Sequence, residues 1–342
     1  MQVYRIVTYR SLAKIVRIVS APGLAAWYFM PKDPSDWHES LLARLVKRLS
    51  VEPSTDLNPR CLSEQTLFGV LDDIKEGDRL RDSKSKSRIV VWLQEIGLMT
   101  VIPVDYTRGK SRACTRFYSF DIAKSPSSRV DPIELLQAYS ADGVICYFTA
   151  IAFYSLSTQL PIHHHIAIPF ESHTRSTAVR TTTKRRPAVA RNPLGTHLFD
   201  YDGLPFYETS REKRLLPGVQ SRYIGPAAVI RITTLEQTLL DTLHRPLHCG
   251  GPAVVFEAWN QGLPRVNEDR LADYLASMDH RATVQRLGYM LDDLDYKPRS
   301  KLQDVLDRCR SRLDPADSSV YRQLFPGMEY RNLSRSWLVY GP

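Results

Sequence analysis

The stretch from Arg79 to Tyr118 constrains this chain more than any other. It opens as Arg79-Leu-Arg-Asp-Ser-Lys-Ser-Lys-Ser-Arg88, continues as Ile89-Val-Val-Trp-Leu-Gln-Glu-Ile96, and stops at Gly97, where a helix C-cap belongs. The spacing of Ile89, Leu93 and Ile96 predicts a helix with one apolar stripe turned to a core. Lys84, Ser87, Val91 and Glu95 then point the other way, with Arg88 at the edge. Two strand-like segments follow, 98–106 and 111–118, joined by Thr107-Arg-Gly-Lys110, in which Gly109 supplies the positive φ of a hairpin tip.

The charge of this stretch is lopsided. Residues 79–116 hold nine Lys/Arg against three Asp/Glu, a balance of +6. Residues 1–125 hold 20 against 14, so this segment equals the whole excess of the first part of the chain, while the other 217 residues hold 26 against 23. A short cationic helix face beside a basic hairpin is the layout of a DNA-binding winged helix-turn-helix. We therefore expect such a domain over residues 35–122, with Arg79, Arg81, Lys84, Lys86, Ser87, Arg88, Arg108, Lys110 and Arg112 as its DNA-binding residues. Lys84, Ser87, Arg88 and Val91 would meet base edges and Arg108, Lys110 and Arg112 would hold phosphates.

Two helices are expected ahead of the reader. The first starts near Ser35 or Asp36 and carries Leu41, Leu42, Leu45, Val46 and Leu49 on one face; the second follows the cap region Ser63-Glu-Gln-Thr66 with Leu67, Phe68, Leu71 and Ile74. The second is acidic at Glu64, Asp72, Asp73 and Glu76, which leaves the third helix for the groove. Residues 1–34 form an extension with no Asp or Glu before Asp33; an arm, a basic tail on DNA, or an early start codon would each account for it.

Length and composition set the outer limits. A chain of 342 residues predicts two domains, and a net charge of +9 favours a polyanionic partner. Five cysteines without a Cys-x-x-Cys pattern fit a reducing cytoplasm, and no apolar run is long enough for a membrane span, so a soluble cytoplasmic protein is expected, with no membrane partner.

Residues 123–130 read as a linker, and residues 131–342 as a mixed α/β domain, so the fold class expected for the whole is α+β. Asp131-Pro132 opens a helix to Tyr139; 144–156 reads as one nearly all-apolar helix; Ile162-His-His-His-Ile-Ala-Ile168 alternates like a strand. Residues 170–192 form a basic segment in which Arg175, Arg180, Lys184, Arg185 and Arg186 offer secondary phosphate contacts. A strand at 229–232 feeds a helix capped by Thr233 or Thr234, and helices follow near 252–259, 267–278, 281–294 and 301–313, before a tail.

Enzyme chemistry has little purchase here. Gly195-Thr-His-Leu-Phe-Asp-Tyr-Asp202 is a distant match to a nucleotidyltransferase signature, with compressed spacing and no third carboxylate, and Asp200 and Asp202 read better as a turn. In a strand, His164 faces away from His163 and His165, which makes packed or surface histidines a better reading than a metal site. His244 and His248 are four apart, but Pro246 interrupts the helix a metal site would need. Asp241 and Arg245 have the spacing of an intrahelical ion pair. The chain holds no P-loop, nucleophile elbow or dinucleotide fingerprint, so no cofactor, metal or enzyme activity is expected.

Three further stretches carry a resemblance. Gly143-Val-Ile-Cys-Tyr-Phe-Thr-Ala-Ile-Ala-Phe-Tyr-Ser-Leu-Ser-Thr-Gln159, then Arg231-Ile-Thr-Thr-Leu-Glu-Gln-Thr-Leu-Leu-Asp241 with Arg245-Pro246 and Cys249-Gly-Gly251, and finally Arg286-Leu-Gly-Tyr-Met-Leu291, resemble the C-terminal domain of AbiEi-type antitoxins in the right order. That resemblance implies the antitoxin of a type IV toxin-antitoxin pair linked to abortive phage infection. Such a protein represses its own operon by binding double-stranded DNA at its promoter. It also counteracts a nucleotidyltransferase-like toxin without requiring a stable complex. Two alternatives belong to other classes: a module that neutralises the toxin by direct contact, and a nucleotidyltransferase-type enzyme. The long N-terminal extension and the basic segment at 171–192 depart from the family pattern.

Overall fold

The structure, a computed structural model, describes residues 37–49, 61–74, 83–106, 115–120, 130–171, 193–224, 228–325, 327–330 and 332–342. Its fold is α+β, with helices and mixed sheets. Helix α1 (Trp37–Leu49) leads to strand β1 (Cys61–Ser63), helix α2 (Glu64–Asp73), helix α3 (Ser83–Glu95), and strands β2 (Met99–Ile102) and β3 (Phe117–Phe120). The strands form an antiparallel sheet in the order β1-β3-β2. The apolar stripes read from the sequence meet in one core: Leu41, Leu42, Leu45 and Leu49 of α1, Leu67 and Leu71 of α2, and Ile89, Val90 and Leu93 of α3 are buried. Ser63 caps α2 by accepting from the Thr66 amide at 3.3 Å, and Gly97 ends α3 with φ at +72°, the left-handed conformation that glycine adopts at least cost.

The second sheet has six strands in the order β6-β7-β5-β4-β9-β8. These are β4 (Val144–Ile145), β5 (His164–Phe170), β6 (Thr196–Tyr201), β7 (Leu204–Glu212), β8 (Val219–Ile224) and β9 (Ala228–Thr233). β5 runs parallel to β7 and β4 to β9, and the remaining pairs are antiparallel. Asp202 (φ 52°) and Gly203 (φ 79°) form a two-residue turn between the paired residues Tyr201 and Leu204. Helix α4 (Pro132–Tyr139), capped by Asp131 with Pro132 in its first turn, lies on one face of this sheet. Helices α5 (Tyr147–Phe153) and α6 (Leu235–His244) lie on the other, followed by α7 (Pro252–Gly262), α8 (Glu268–Met278), α9 (Arg281–Asp293) and α10 (Ser300–Arg310).

The expected helix over 144–156 is corrected at its start: Val144 and Ile145 form a strand between β5 and β9, and the helix begins at Tyr147. A short, fully buried β-branched pair looks the same in a helix and in a central strand. The expected tail is also structured. Strands β10 (Arg322–Gln323), β11 (Asn332–Ser334) and β12 (Val339–Gly341) make a small sheet that seats Trp337 against α9, where its indole N–H donates to Asp292 at 2.8 Å.

One face of the six-stranded sheet and the N-terminal sheet share a core. Cys61, Ile102 and Phe117 cluster with Leu135, Leu136, Ile145, Ile166, Phe199, Phe206 and Ile232. Asp105 and Asp200 exchange backbone hydrogen bonds at 2.8 and 2.7 Å, which joins the chain after β2 to the edge strand β6. Among the described residues, no helix is long and apolar enough to cross a membrane.

Candidate nucleic-acid interface

Helix α3 has two sides. Ile89, Val90 and Leu93 are buried, whereas Ser87, Arg88, Val91 and Glu95 are exposed, Val91 by half of its surface. This is the phase read from the sequence. Ser87, Arg88, Val91, Trp92 and Glu95 line a shallow depression of about 250 Å³. The charge here is mixed, with the Arg88 guanidinium and the Glu95 carboxylate about two turns apart on the same exposed face.

Lys86 departs from the expected role. Its ammonium lies 2.5 Å from Asp72 Oδ2 on α2 and 5.8 Å from the centre of the Phe68 ring, with its side chain only 12% exposed. The reason is helical phase. Lys86 stands three, four and seven residues before Ile89, Val90 and Leu93, on the buried stripe, so its charge is spent on pinning α3 to α2. The acidity of α2, read as a mark against groove insertion, supplies the partner.

Of the other expected DNA-binding residues, Arg79, Arg81, Arg108, Lys110 and Arg112 lie outside the described residues, as does the side chain of Lys84. The secondary basic positions Arg175, Arg180, Lys184, Arg185 and Arg186 lie outside them too. The hairpin base is described on both sides: the Tyr106 hydroxyl donates to the Thr115 carbonyl, and the Tyr106 ring sits 5.9 Å from Phe199. Beside it, Arg116 is exposed 3.9 Å from Glu64, which also accepts from the Tyr118 hydroxyl at 3.2 Å. Desolvation, then the Glu64 charge, raises the Tyr118 pKa.

The histidine tract lies elsewhere and is buried. Strand alternation sends His164 one way, onto the Phe206 ring at 4.9 Å, and His163 and His165 the other, 4.8 Å apart. His163 donates through Nε2 to the His248 carbonyl at 3.1 Å, and His165 through Nε2 to the Leu194 carbonyl at 2.9 Å. Burial holds His163 and His165 below the usual imidazole range and brings His164 and His248 to about 4. The rings of His163, His165 and His248 pack as neutral groups with Tyr147 and Tyr207. Among the described residues, no three His, Cys, Asp or Glu side chains converge to hold a metal ion.

The expected Asp241–Arg245 pair is corrected. Asp241 is taken by Arg211 of β7, whose two terminal nitrogens donate to both carboxylate oxygens at 2.7 and 2.5 Å, with each side chain at most 1% exposed. Gln237 Nε2 donates to the same carboxylate at 2.7 Å, and Arg211 also donates to the Leu215 carbonyl at 2.7 Å. A bidentate guanidinium aimed from the sheet at the helix outcompetes a neighbour that would have to fold back along its own helix. Asp200 accepts from, or ion-pairs with, His197 at 2.8 Å, while Asp202 occupies the β6–β7 turn.

No family model matches this sequence, and no curated protein matches it. Among solved structures, the chain is similar to the crystal structure of the RV2827C protein from Mycobacterium tuberculosis, at 15% sequence identity and a TM-score of 0.48, over 88% of this chain and 91% of that one.

Proposed function

We propose that this protein is a DNA-binding transcriptional regulator whose N-terminal part works as a winged helix-turn-helix, and that it serves as the autorepressing antitoxin of a type IV toxin-antitoxin operon. The observation that carries the DNA-binding reading is the exposed face of α3, where Ser87, Arg88, Val91 and Glu95 stand clear of a helix otherwise anchored in the core. Support also comes from the element order, in which a third helix is followed at once by a two-stranded hairpin, and from the +6 balance over residues 79–116. The antitoxin part rests on the resemblance of residues 143–159, 231–251 and 286–291 to the AbiEi-type domain. In this reading α3 enters the major groove, the hairpin grips phosphates, and the bound protein occludes its own promoter, lowering synthesis of the nucleotidyltransferase-like toxin encoded beside it.

The test is binding of the full chain to its own upstream DNA, against scrambled DNA of equal length, over a salt series. The expected result is preference for the upstream fragment, with log K falling steeply against log salt. Arg88→Ala should weaken that preference, and charge reversal at Arg108 and Lys110 should flatten the slope. Equal affinity for both fragments would overturn the repressor reading.

A further inference from the structure

Resting on the DNA-binding reading above, we propose that Val91 makes this protein a reader of the thymine 5-methyl group. Val91 is half exposed on a helix whose other aliphatic residues, Ile89, Val90 and Leu93, are at most 5% exposed. An outward β-branched residue gains nothing from the core and is slightly unfavourable for the helix, which leaves its apolar surface available to a partner. It does not stand alone: Ser87, Arg88, Trp92 and Glu95 border it and together form the shallow depression on the outer side of α3.

The chemistry of the occupant follows from the groove. Base edges in the major groove present hydrogen-bond donors and acceptors, and the apolar group they offer is the C5-methyl of thymine. Arg88 and Ser87, one turn N-terminal to Val91, satisfy polar edges, and the Val91 isopropyl group cannot. An isopropyl group pressed on a cytosine or guanine edge would desolvate polar atoms without pairing them. Pressed on a thymine, it buries a methyl. Val91 therefore selects an A·T pair read from the thymine side, in register with the base that Arg88 meets.

The experiment uses the full chain and its own upstream fragment, amplified with either deoxythymidine or deoxyuridine triphosphate, so that base pairing is kept and the methyl groups are removed. Wild type should bind the uracil fragment about fourfold more weakly, the factor that accompanies one buried methyl group. Val91→Ala should bind the thymine fragment more weakly and lose the difference, while Val91→Thr, which keeps a methyl at the same place, should retain most of it. Exposure of Val91 makes both variants compatible with folding. Equal binding of the two fragments by wild type overturns the inference while leaving DNA binding intact. A ratio unchanged by Val91→Ala assigns the methyl contact to another residue and also overturns it. Absence of binding to either fragment removes the regulator reading itself, and the inference with it.

Discussion

Mild acid should destabilise this protein through its buried histidines. His164 and His248 are each 6% exposed, and desolvation, helped at His248 by Arg245 and at His164 by His163, brings both to about 4 from an ordinary imidazole value near 6.5. Above pH 6.5 neither the folded nor the unfolded chain binds a proton at these sites, so stability is full there. As pH falls below 6.5 the unfolded chain takes up protons that the folded chain refuses, and stability drops until the folded value is reached. At pH 5.0 each histidine costs about 2 kcal/mol, from roughly 1.4 kcal/mol per pH unit over about 1.5 units, so the pair costs about 4 kcal/mol. That is a large share of the roughly 5–15 kcal/mol that holds a folded protein together. His163, His165, His244 and His280 are shifted in the same direction and add to it. Urea unfolding at constant ionic strength, followed by the fluorescence of buried Trp259 and Trp337, measures the effect between pH 7.5 and 5.0. His164→Phe, which keeps a ring against Phe206, should remove about one proton from the slope. A stability that stays level between pH 7.5 and 5.0 would refute the reasoning, because carboxylates titrate mainly below that window.

Asp241→Ala should cost about 3–5 kcal/mol by stranding the Arg211 guanidinium in the core, seen as a large drop in Tm, whereas Arg245→Ala should cost far less. Lys86→Met should lower stability by about 1–2 kcal/mol yet leave the salt dependence of DNA binding unchanged, because its charge is held by Asp72; Arg88→Ala should leave stability unchanged and weaken the preference for the upstream fragment. Gly288→Ala should destabilise by about 1–3 kcal/mol in a thermal melt, since the Trp337 indole occupies the place a Cβ would take.

Helices were readable because their caps and stripes are local. Ser63, Asp131 and Thr234 accept from amides in the first turn of the helices they open, and Gly97 takes the positive φ that ends α3. Strands were less readable. β1 has three residues, all buried, and carries no alternation; its pairing with β3 is set by residues more than 50 positions away. The turn at Asp202-Gly203 had a local signal, an Asp-Gly pair between alternating residues, that implies the β6–β7 hairpin. The inward turn of Lys86 was also within reach, since its phase with Ile89, Val90 and Leu93 is fixed by the helix alone. The partner of Asp241 was not: Arg211 lies 30 residues away on another strand.

The two faces of the six-stranded sheet explain why its strands give weak periodic signals. On β5, Ile166 joins the apolar face and His165 the polar one, with His163 just ahead of the strand beside it; on β7, Phe206 lies on the first and Tyr207, Thr209 and Arg211 on the second. Both faces are covered, so polar residues here mark a buried hydrogen-bonded layer and not solvent, and alternation loses its usual meaning. The apolar face has a further consequence for the proposed reader. Ile102 and Phe117, the ends of β2 and β3 nearest the hairpin base, pack on Phe199 and its neighbours, and Asp105 is tied to Asp200. The hairpin that follows α3 is thus held at its root by the C-terminal sheet, and the direction in which it leaves α3 is set by a core that residues 61–120 share with residues 130–232. Loosening that core, for example with Phe199→Ala, should cost stability by about 3–5 kcal/mol and disturb DNA binding together, although Phe199 lies far in sequence from the residues proposed to face the groove. Loss of stability with an unchanged salt slope and unchanged specificity would show that the root of the hairpin does not set its aim.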